Sequence, residues 1–325
     1  MKIIQSFAEF DEGSPYFEMD NPDYDINIED NKKYLNFYTF LLSCLTLQKY
    51  YGKVTMYCNQ KAYNRFIKYI PYSEIIIVEN NNPFDFWSCY KVDIIKLQTE
   101  DFIHIDNDVF IFDDLFSKFI NSKKYDVISQ DIISKDLSED IHFFLDYYDE
   151  FISENKDFFI KNNIINPNIY DKKCISCGTV GMNLKIRDQW VKIYDTIKYH
   201  YENDLFKDKP YYITTIVEEL ALYFVVLKNN LNVYRILPDN LTIIHGVQDT
   251  GNLIKYTHMW FNSKFNPENI KLIKNKIYTD FPNYINVIEK FESENNIYDF
   301  ESDNYAYPIG LENLIKNNPN YGKYY

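Results

Sequence analysis

The stretch Phe102-Ile103-His104-Ile105-Asp106-Asn107-Asp108-Val109-Phe110-Ile111-Phe112 constrains the fold more than any other. A short, nearly continuous apolar run has to be covered on both faces, as parallel strands are when helices flank them. The run stops at Asp106, and a second aspartate follows two residues on. In open α/β sheets the carboxyl ends of the strands line the ligand crevice, so both carboxylates are expected at that edge. Side chains at i and i+2 share a face and can reach one hard divalent cation, directly or through water. Such a cation keeps waters and substrate phosphates among its ligands. The stretch therefore points to a metal that holds a diphosphate. The structural alternative is that the two aspartates cap the next segment and face water.

The preceding residues repeat a strand–helix rhythm. Residues 2–7 read as a buried strand, and residues 11–33, acidic and polar with Pro15 and Pro22, as a long surface loop. From Tyr34 to Tyr51 apolar residues recur at helical spacing (Leu35, Tyr38, Leu41, Leu42, Leu45), and Gly52 stands where such a helix would stop. A strand at 54–58, a short helix at 63–70 closed by Pro71, a strand at 74–78, a turn at 80–83 and a helix at 85–97 lead into the aspartate strand. This alternation implies βαβ units around a mostly parallel sheet. Beyond it the pattern gives helices at 113–120, 187–206 and 212–227, and strands at 125–129, 233–237 and 241–245.

Residues 131–173 interrupt the rhythm with an acidic, aromatic mixture that includes Asp140, His142, Phe143, Asp146, Tyr147 and Asp149. They read as an inserted helix with a solvated acidic face. The alternative is a lid over an acceptor, since long insertions in compact domains are often functional. The tail after Pro267 is polar and helical, with no internal repeat or low-complexity linker before it. The simplest division is one catalytic domain over residues 1–265, with the insertion at about 131–173, and a helical appendage over 266–325.

Composition narrows the function. The net charge is −14 and no Lys/Arg block stands out, so nucleic acid, whose binding depends on neutralising phosphates, is excluded as a partner. An anionic membrane surface is disfavoured for the same reason. No apolar run approaches the roughly 18 residues that a membrane span needs, and Met1-Lys2-Ile3-Ile4-Gln5-Ser6 reads as a first strand rather than a signal peptide. Five cysteines, an odd number, imply reduced thiols and a cytoplasmic setting. The eight glycines form neither Gly-x-Gly-x-x-Gly nor Gly-x-x-x-x-Gly-Lys, so two common phosphate cradles are missing. A bound nucleotide would then need a metal for its phosphates, which strengthens the reading of Asp106 and Asp108.

A second signal lies at His258-Met259-Trp260-Phe261-Asn262-Ser263-Lys264. Imidazole suits a borderline metal such as manganese better than it suits calcium, and an ammonium six residues later can reach the phosphate of a leaving diphosphate. In isolation the pair is an ordinary surface His and Lys. His245, before Gly246 at a strand end, is an alternative third ligand. His104 lies inside the buried strand and reads as a hydrogen-bonded core residue. Cys174-x-x-Cys177 has no partner Cys-x-x-Cys and reads as two small buried thiols before a glycine turn, not as a redox or zinc pair.

This layout resembles the GT-A glycosyltransferases, single α/β domains that bind nucleotide sugars, and is most similar to the glycogenin-like and lipopolysaccharide-galactosyltransferase-like branch. The branch closes a strand with Asp-x-Asp after roughly a hundred residues and completes its metal and diphosphate site with a late His and a Lys six positions on. Both spacings stand here, as Asp106/Asp108 and His258/Lys264. Where the family has Asn-x-Gly-x-x-x-x-Asn, this chain has Ser176-Cys177-Gly178-Thr179-Val180-Gly181-Met182-Asn183. Where it has Asp-Gln, this chain has Glu218-Glu219, and Lys91 matches a basic position that usually faces the nucleotide. The family's Gly and Pro near the His–Lys stretch are replaced by Phe261 and Phe265.

The resemblance covers residues 1–265 and implies a metal-dependent hexosyltransferase. Manganese or magnesium would be bound by Asp106, Asp108 and His258, and Lys264, Lys91 and Asp106 would contact a UDP-sugar donor. Glu218 or Glu219 would act on a hydroxyl acceptor, whether on a glycan, a protein or a small molecule. Two alternatives remain. In a haloacid-dehalogenase-type phosphatase Asp106 would attack phosphorus, although Val109-Phe110-Ile111 replaces the glycine-containing continuation of that motif. A nucleotide-sugar-binding protein without turnover would keep the same pocket. Sugar, acceptor, stereochemistry and oligomeric state are left open.

Overall fold

Successive side chains of the central strands enter two different cores. In β1 (Lys2–Phe7) Ile3 joins one core and Ile4 the other; in β2 (Val54–Cys58) Met56 and Tyr57 divide in the same way, and in β4 (Phe102–Ile105) Ile103 and Phe102 do. A period of two with both faces apolar is what a sheet sandwiched between helical layers requires. The structure, a computed structural model, describes residues 1–9, 26–80, 87–134, 142–165, 167–202, 215–237, 255–259, 267–295 and 297.

Among the described residues, seven strands form the central sheet in the order β3–β2–β1–β4–β7–β6–β8. The remaining members are β3 (Glu74–Ile77), β6 (Val127–Ser134), β7 (Lys173–Met182) and β8 (Val233–Arg235). Pairings β1/β2, β2/β3, β1/β4 and β6/β8 are parallel, whereas β7 runs antiparallel to both β4 and β6. A separate antiparallel pair joins β5 (Val109–Ile111) to β9 (Tyr256–His258). The chain is thus an α/β domain with a mostly parallel central sheet flanked by helices, in a GT-A-like arrangement.

The α-helices in chain order are α1 (Ile26–Tyr51), α2 (Gln60–Arg65), α3 (Trp87–Lys96), α4 (Ser117–Ile120), α5 (His142–Glu154), α6 (Lys156–Lys161), α7 (Leu184–Glu202), α8 (Ala221–Asn229), α9 (Pro267–Asp280) and α10 (Ile285–Glu294). A π-helical turn, Ile216–Leu220, leads into α8. Helices α3, α5, α6, α7 and α8 cover one face of the sheet, while α1, α2, α4, α9 and α10 supply the other core.

Three local expectations change. Residues 26–33 of the expected surface loop are helical, because α1 begins at Ile26, and residues 11–25 lie outside the described residues. No Pro or Gly interrupts 26–51, and its Glu and Lys residues favour a helix although their polarity resembles a loop. The helix expected over 113–120 is confined to α4; the backbone N–H groups of Leu115 and Phe116 donate to the Tyr51 hydroxyl instead. The glycine turn after Cys177 does not form, and β7 runs through both glycines. At Gly181 a Cβ would lie 2.7 Å from Ile103 Cγ1 and 2.8 Å from Ile128 Cγ2, so the glycine admits the neighbouring strands' side chains rather than bending the chain. The strand expected at 241–245 lies outside the described residues.

Helices α9 and α10 pack on α1. Ile270, Ile273, Ile277, Ile288 and Phe291 belong to the same core as Phe37, Tyr38 and Leu41. Phe291 stacks on Phe37 with ring centroids 3.8 Å apart, and the Tyr38 hydroxyl donates to Glu292 Oε1 at 2.6 Å. No described helix is long and apolar enough to cross a membrane, and all five cysteines are free and buried. Phe291→Ala should cost about 3–5 kcal/mol, as loss of a fully buried aromatic does. Urea unfolding followed by circular dichroism should show one transition moved to lower denaturant. A second, earlier transition with the main one unmoved would mean that residues 267–294 fold as a separate unit.

Candidate metal centre

The end of β4 is held from four sides. The Asp106 N–H donates to the Gly178 carbonyl at 2.8 Å, and the Val109 N–H closes a turn onto the Asp106 carbonyl at 3.1 Å. Gln5 Nε2 of β1 donates to that same carbonyl at 3.2 Å, and Asn107 Nδ2 donates to the Ser6 carbonyl at 2.8 Å. From α1, the Ser43 hydroxyl donates to the Val109 carbonyl at 2.6 Å. With its backbone polar groups satisfied in this way, the Asp106–Asp108 turn is rigid enough to aim its carboxylates.

His258 arrives by strand register. It pairs with Val109 across β5 and β9, and the Met259 N–H donates to the Asp108 carbonyl at 2.9 Å. The imidazole therefore lies over the Asp-x-Asp turn although some 150 residues separate them. Ligand atoms of Asp106, Asp108 and His258 all fall within 4.8 Å of one another. Asp108 and His258 are buried, while Asp106 forms the more open edge, its side chain 23% exposed.

The ring contacts test whether this group fits a cation. His258 Nδ1 lies 2.8 Å from Gln130 Oε1, an acceptor that pairs with the ring when Nδ1 holds the proton. In the neutral ring Nε2 is then a lone pair, and it faces Asp108 Oδ1 at 3.3 Å. Two acceptors at that distance attract each other only through a shared proton or cation. Two carboxylates and an imidazole make a hard-to-borderline donor set that suits a divalent ion. The buried Asp106/Asp108/His258 group can chelate a metal, as a catalytic metal site requires.

Behind Asp106 lies a buried ion cluster. Lys91, from α3 and 2% exposed, directs its ammonium at Asp106 Oδ1 (2.7 Å), Glu218 Oε1 (2.5 Å) and the Cys177 carbonyl (2.6 Å). Burial alone would lower the ammonium, but Asp106 and Glu218 raise it above its ordinary value. Burial pushes Glu218 up to about 7 against the pull of Lys91, and its Oε2 has no hydrogen-bond partner. Glu219 is pushed up to about 8, first by burial and then by Glu218, and its Oε2 accepts from the Tyr148 hydroxyl at 3.0 Å. Asp106 is raised by burial, opposed by Lys91 and reinforced by Asp108.

The remaining sequence candidates divide. His104 is a core histidine, with Nε2 2.8 Å from the Ser6 hydroxyl. Cys174 and Cys177 are buried thiols pushed up by desolvation and by Glu219 and Glu218 respectively. Asn183 accepts the Ile186 N–H at 3.1 Å, capping α7. Lys264 and His245 lie outside the described residues. Sequence reasoning missed Gln5, Ser43 and Gln130, whose contacts with the site all cross between elements. Gly178 had a visible signal in its motif, and the structure supplies the cause: a Cβ there would lie 2.4 Å from Gln130 Oε1 and 2.6 Å from His258 Nδ1.

The chain belongs to DUF6734, a family of unknown function, whose model matches residues 1–291 and so spans every one of these residues. Among curated proteins none matches it.

Lys91→Met should destabilise the fold by about 3–5 kcal/mol, because Glu218 is left as a buried charge without its partner. The double variant Lys91→Met/Glu218→Gln should recover part of that loss in urea titrations; no recovery would mean that Lys91 stabilises by other means. Glu219 gives a pH test. Its folded pKa lies above its ordinary 4.5, so the folded state binds the extra proton and loses stability as pH climbs through about 4.5 to 8. Glu219→Gln mimics the protonated form. It should match the parent at pH 4 and exceed it in urea midpoint at pH 9, and equal midpoints at both values would contradict the shift.

Proposed function

We propose that the protein is a metal-dependent glycosyltransferase that moves a sugar from a UDP-sugar to a hydroxyl acceptor. The observation that carries this reading is the Asp106/Asp108/His258 donor group, within 4.8 Å, at the carboxyl end of a central strand. The GT-A-like sheet around it supports the same reading. The phosphatase alternative employs both aspartates on phosphorus and gives His258 no task.

In the transfer, the bond between the anomeric carbon and the diphosphate oxygen breaks, a bond to the acceptor oxygen forms, and the acceptor's proton leaves. A divalent ion, manganese or magnesium, would offset the charge that builds on the departing diphosphate. Asp106, Asp108 and His258 would hold it, and Lys264 is assigned to the diphosphate. Lys91 serves the donor side through Asp106, whose carboxylate it orients. Glu218 and Glu219 are the carboxyls assigned to the acceptor side. What favours Glu218 is an unpartnered Oε2 and a pKa of about 7, close to that of an effective general base near neutrality. Hexose as the transferred group and a cytoplasmic location complete the proposal; the five free thiols accord with a reducing compartment.

Melting temperature with UDP, GDP or no nucleotide, each with manganese or with EDTA, tests this reading. At about a hundred times its dissociation constant a ligand stabilises by roughly 2.7 kcal/mol. UDP with manganese should raise the melting temperature, EDTA should cancel the rise, and Asp108→Ala should abolish it while the protein stays folded. Absence of any nucleotide shift, together with hydrolysis of a phosphomonoester in magnesium, would replace the transferase by the phosphatase.

A further inference from the structure

Gln130 stands on β6, 1% exposed, with its amide turned toward the imidazole of His258. Its Oε1 lies 2.8 Å from His258 Nδ1 and accepts from the Tyr256 hydroxyl at 3.0 Å. Tyr256 in turn meets the Thr179 hydroxyl at 3.1 Å. The directions are set by the acceptor at the centre. A carbonyl oxygen has no proton to give, so both the phenol and the ring nitrogen donate to it, and Thr179 donates to the phenol. With the amide oxygen toward the ring, one acceptor atom serves both the Tyr256 hydroxyl and His258 Nδ1. Gly178 provides the space in which amide and ring meet, for a Cβ there would collide with both.

We propose that Gln130 is a positioning residue that fixes His258 as the Nδ1–H tautomer and so presents Nε2 to the cation held with Asp106 and Asp108. The inference rests on the metal-dependent reading of the site. A ligating histidine whose second nitrogen is left free can rotate or carry its proton on the wrong atom. Partners that prevent this typically account for 10- to 100-fold in metal affinity. Gln130 has the burial, the acceptor atom and the orienting neighbour that such a role needs, and no contact of its own with the ligand group other than through the ring.

Two measurements test it. In histidine-15N-labelled protein, long-range proton–nitrogen correlation should show His258 as Nδ1–H, its signals assigned by their loss in His258→Gln among the five histidines. An Nε2–H ring in the parent protein would overturn the inference whatever the metal does. Manganese titration followed by electron paramagnetic resonance should show binding weakened about 10- to 100-fold in Gln130→Leu and retained in Gln130→Glu, which keeps an acceptor. Tyr256→Phe, which removes only the orienting phenol, should give a smaller loss and serves where Gln130→Leu does not fold. If Asp108→Asn weakens manganese binding but Gln130→Leu and Tyr256→Phe do not, the metal site stands and the role of Gln130 is refuted. If the parent binds no manganese while His258 is still Nδ1–H, the metal reading itself fails and Gln130 is reduced to a core contact.

Discussion

The ammonium of Lys91 is the interaction on which the site depends. A buried cation is tolerated when each of its protons meets an acceptor, and here three acceptors come from three elements: the end of β4, the π-helical turn and β7. Lys91 thereby ties α3 to the sheet edge at the point where the candidate ligands converge. The same contacts explain why Asp106 has one oxygen facing inward. Oδ1 is taken by Lys91, which fixes the carboxylate plane. Yet one ammonium stands among the carboxyls of Asp106, Asp108 and Glu218, so the local charge is left with a negative excess. That excess is the electrostatic reason for this edge of the sheet to attract a small dication.

The second constraint is clearance. The imidazole, the amide of Gln130 and the backbone of β7 occupy neighbouring space, and glycine at 178 is what lets them do so. Antiparallel pairing of β7 with β4 also sends the Gly178 carbonyl to the Asp106 N–H. One residue thus fixes the backbone of the first aspartate and makes room for the third ligand. The antiparallel strand inside a mostly parallel sheet therefore brings residues near 106, 130 and 178 to a single edge, where the β5/β9 pair delivers His258.

The Asp-x-Asp strand was legible because its evidence is local. Four buried residues followed by two carboxylates form a pattern that needs no neighbour to interpret. The strand–helix alternation up to residue 112 was legible for the same reason. His258 was suggested by spacing alone, since nothing around it in sequence shows that β9 pairs with β5. Gln130 and Ser43 carry no signal in the sequence, because the partners that give them a role come from other elements. Gly178 reads as a turn in the sequence because a glycine in isolation signals backbone freedom. Only the packed sheet shows that the missing Cβ is the purpose. The start of α1 is hard to see because its charged residues resemble a loop, whereas the absence of Pro and Gly over 26–51 is the better guide.

The π-helical turn makes a separate point about adjacent acids. Glu218 and Glu219 follow one another in sequence, yet they enter different networks. One meets Lys91, the other Tyr148 and Cys174. Turns of this kind occur often at functional sites because the extra residue re-aims side chains that a regular helix would hold. Two adjacent carboxylates, one buried and one half-buried, cannot both ionise cheaply, and Glu218 is the second-largest cause of the rise in Glu219. The ion pair with Lys91 decides the division, because it stabilises charge on Glu218 and leaves Glu219 to hold the proton. The turn therefore sets the carboxyl that shares Lys91 with Asp106 beside one that faces Tyr148 and Cys174.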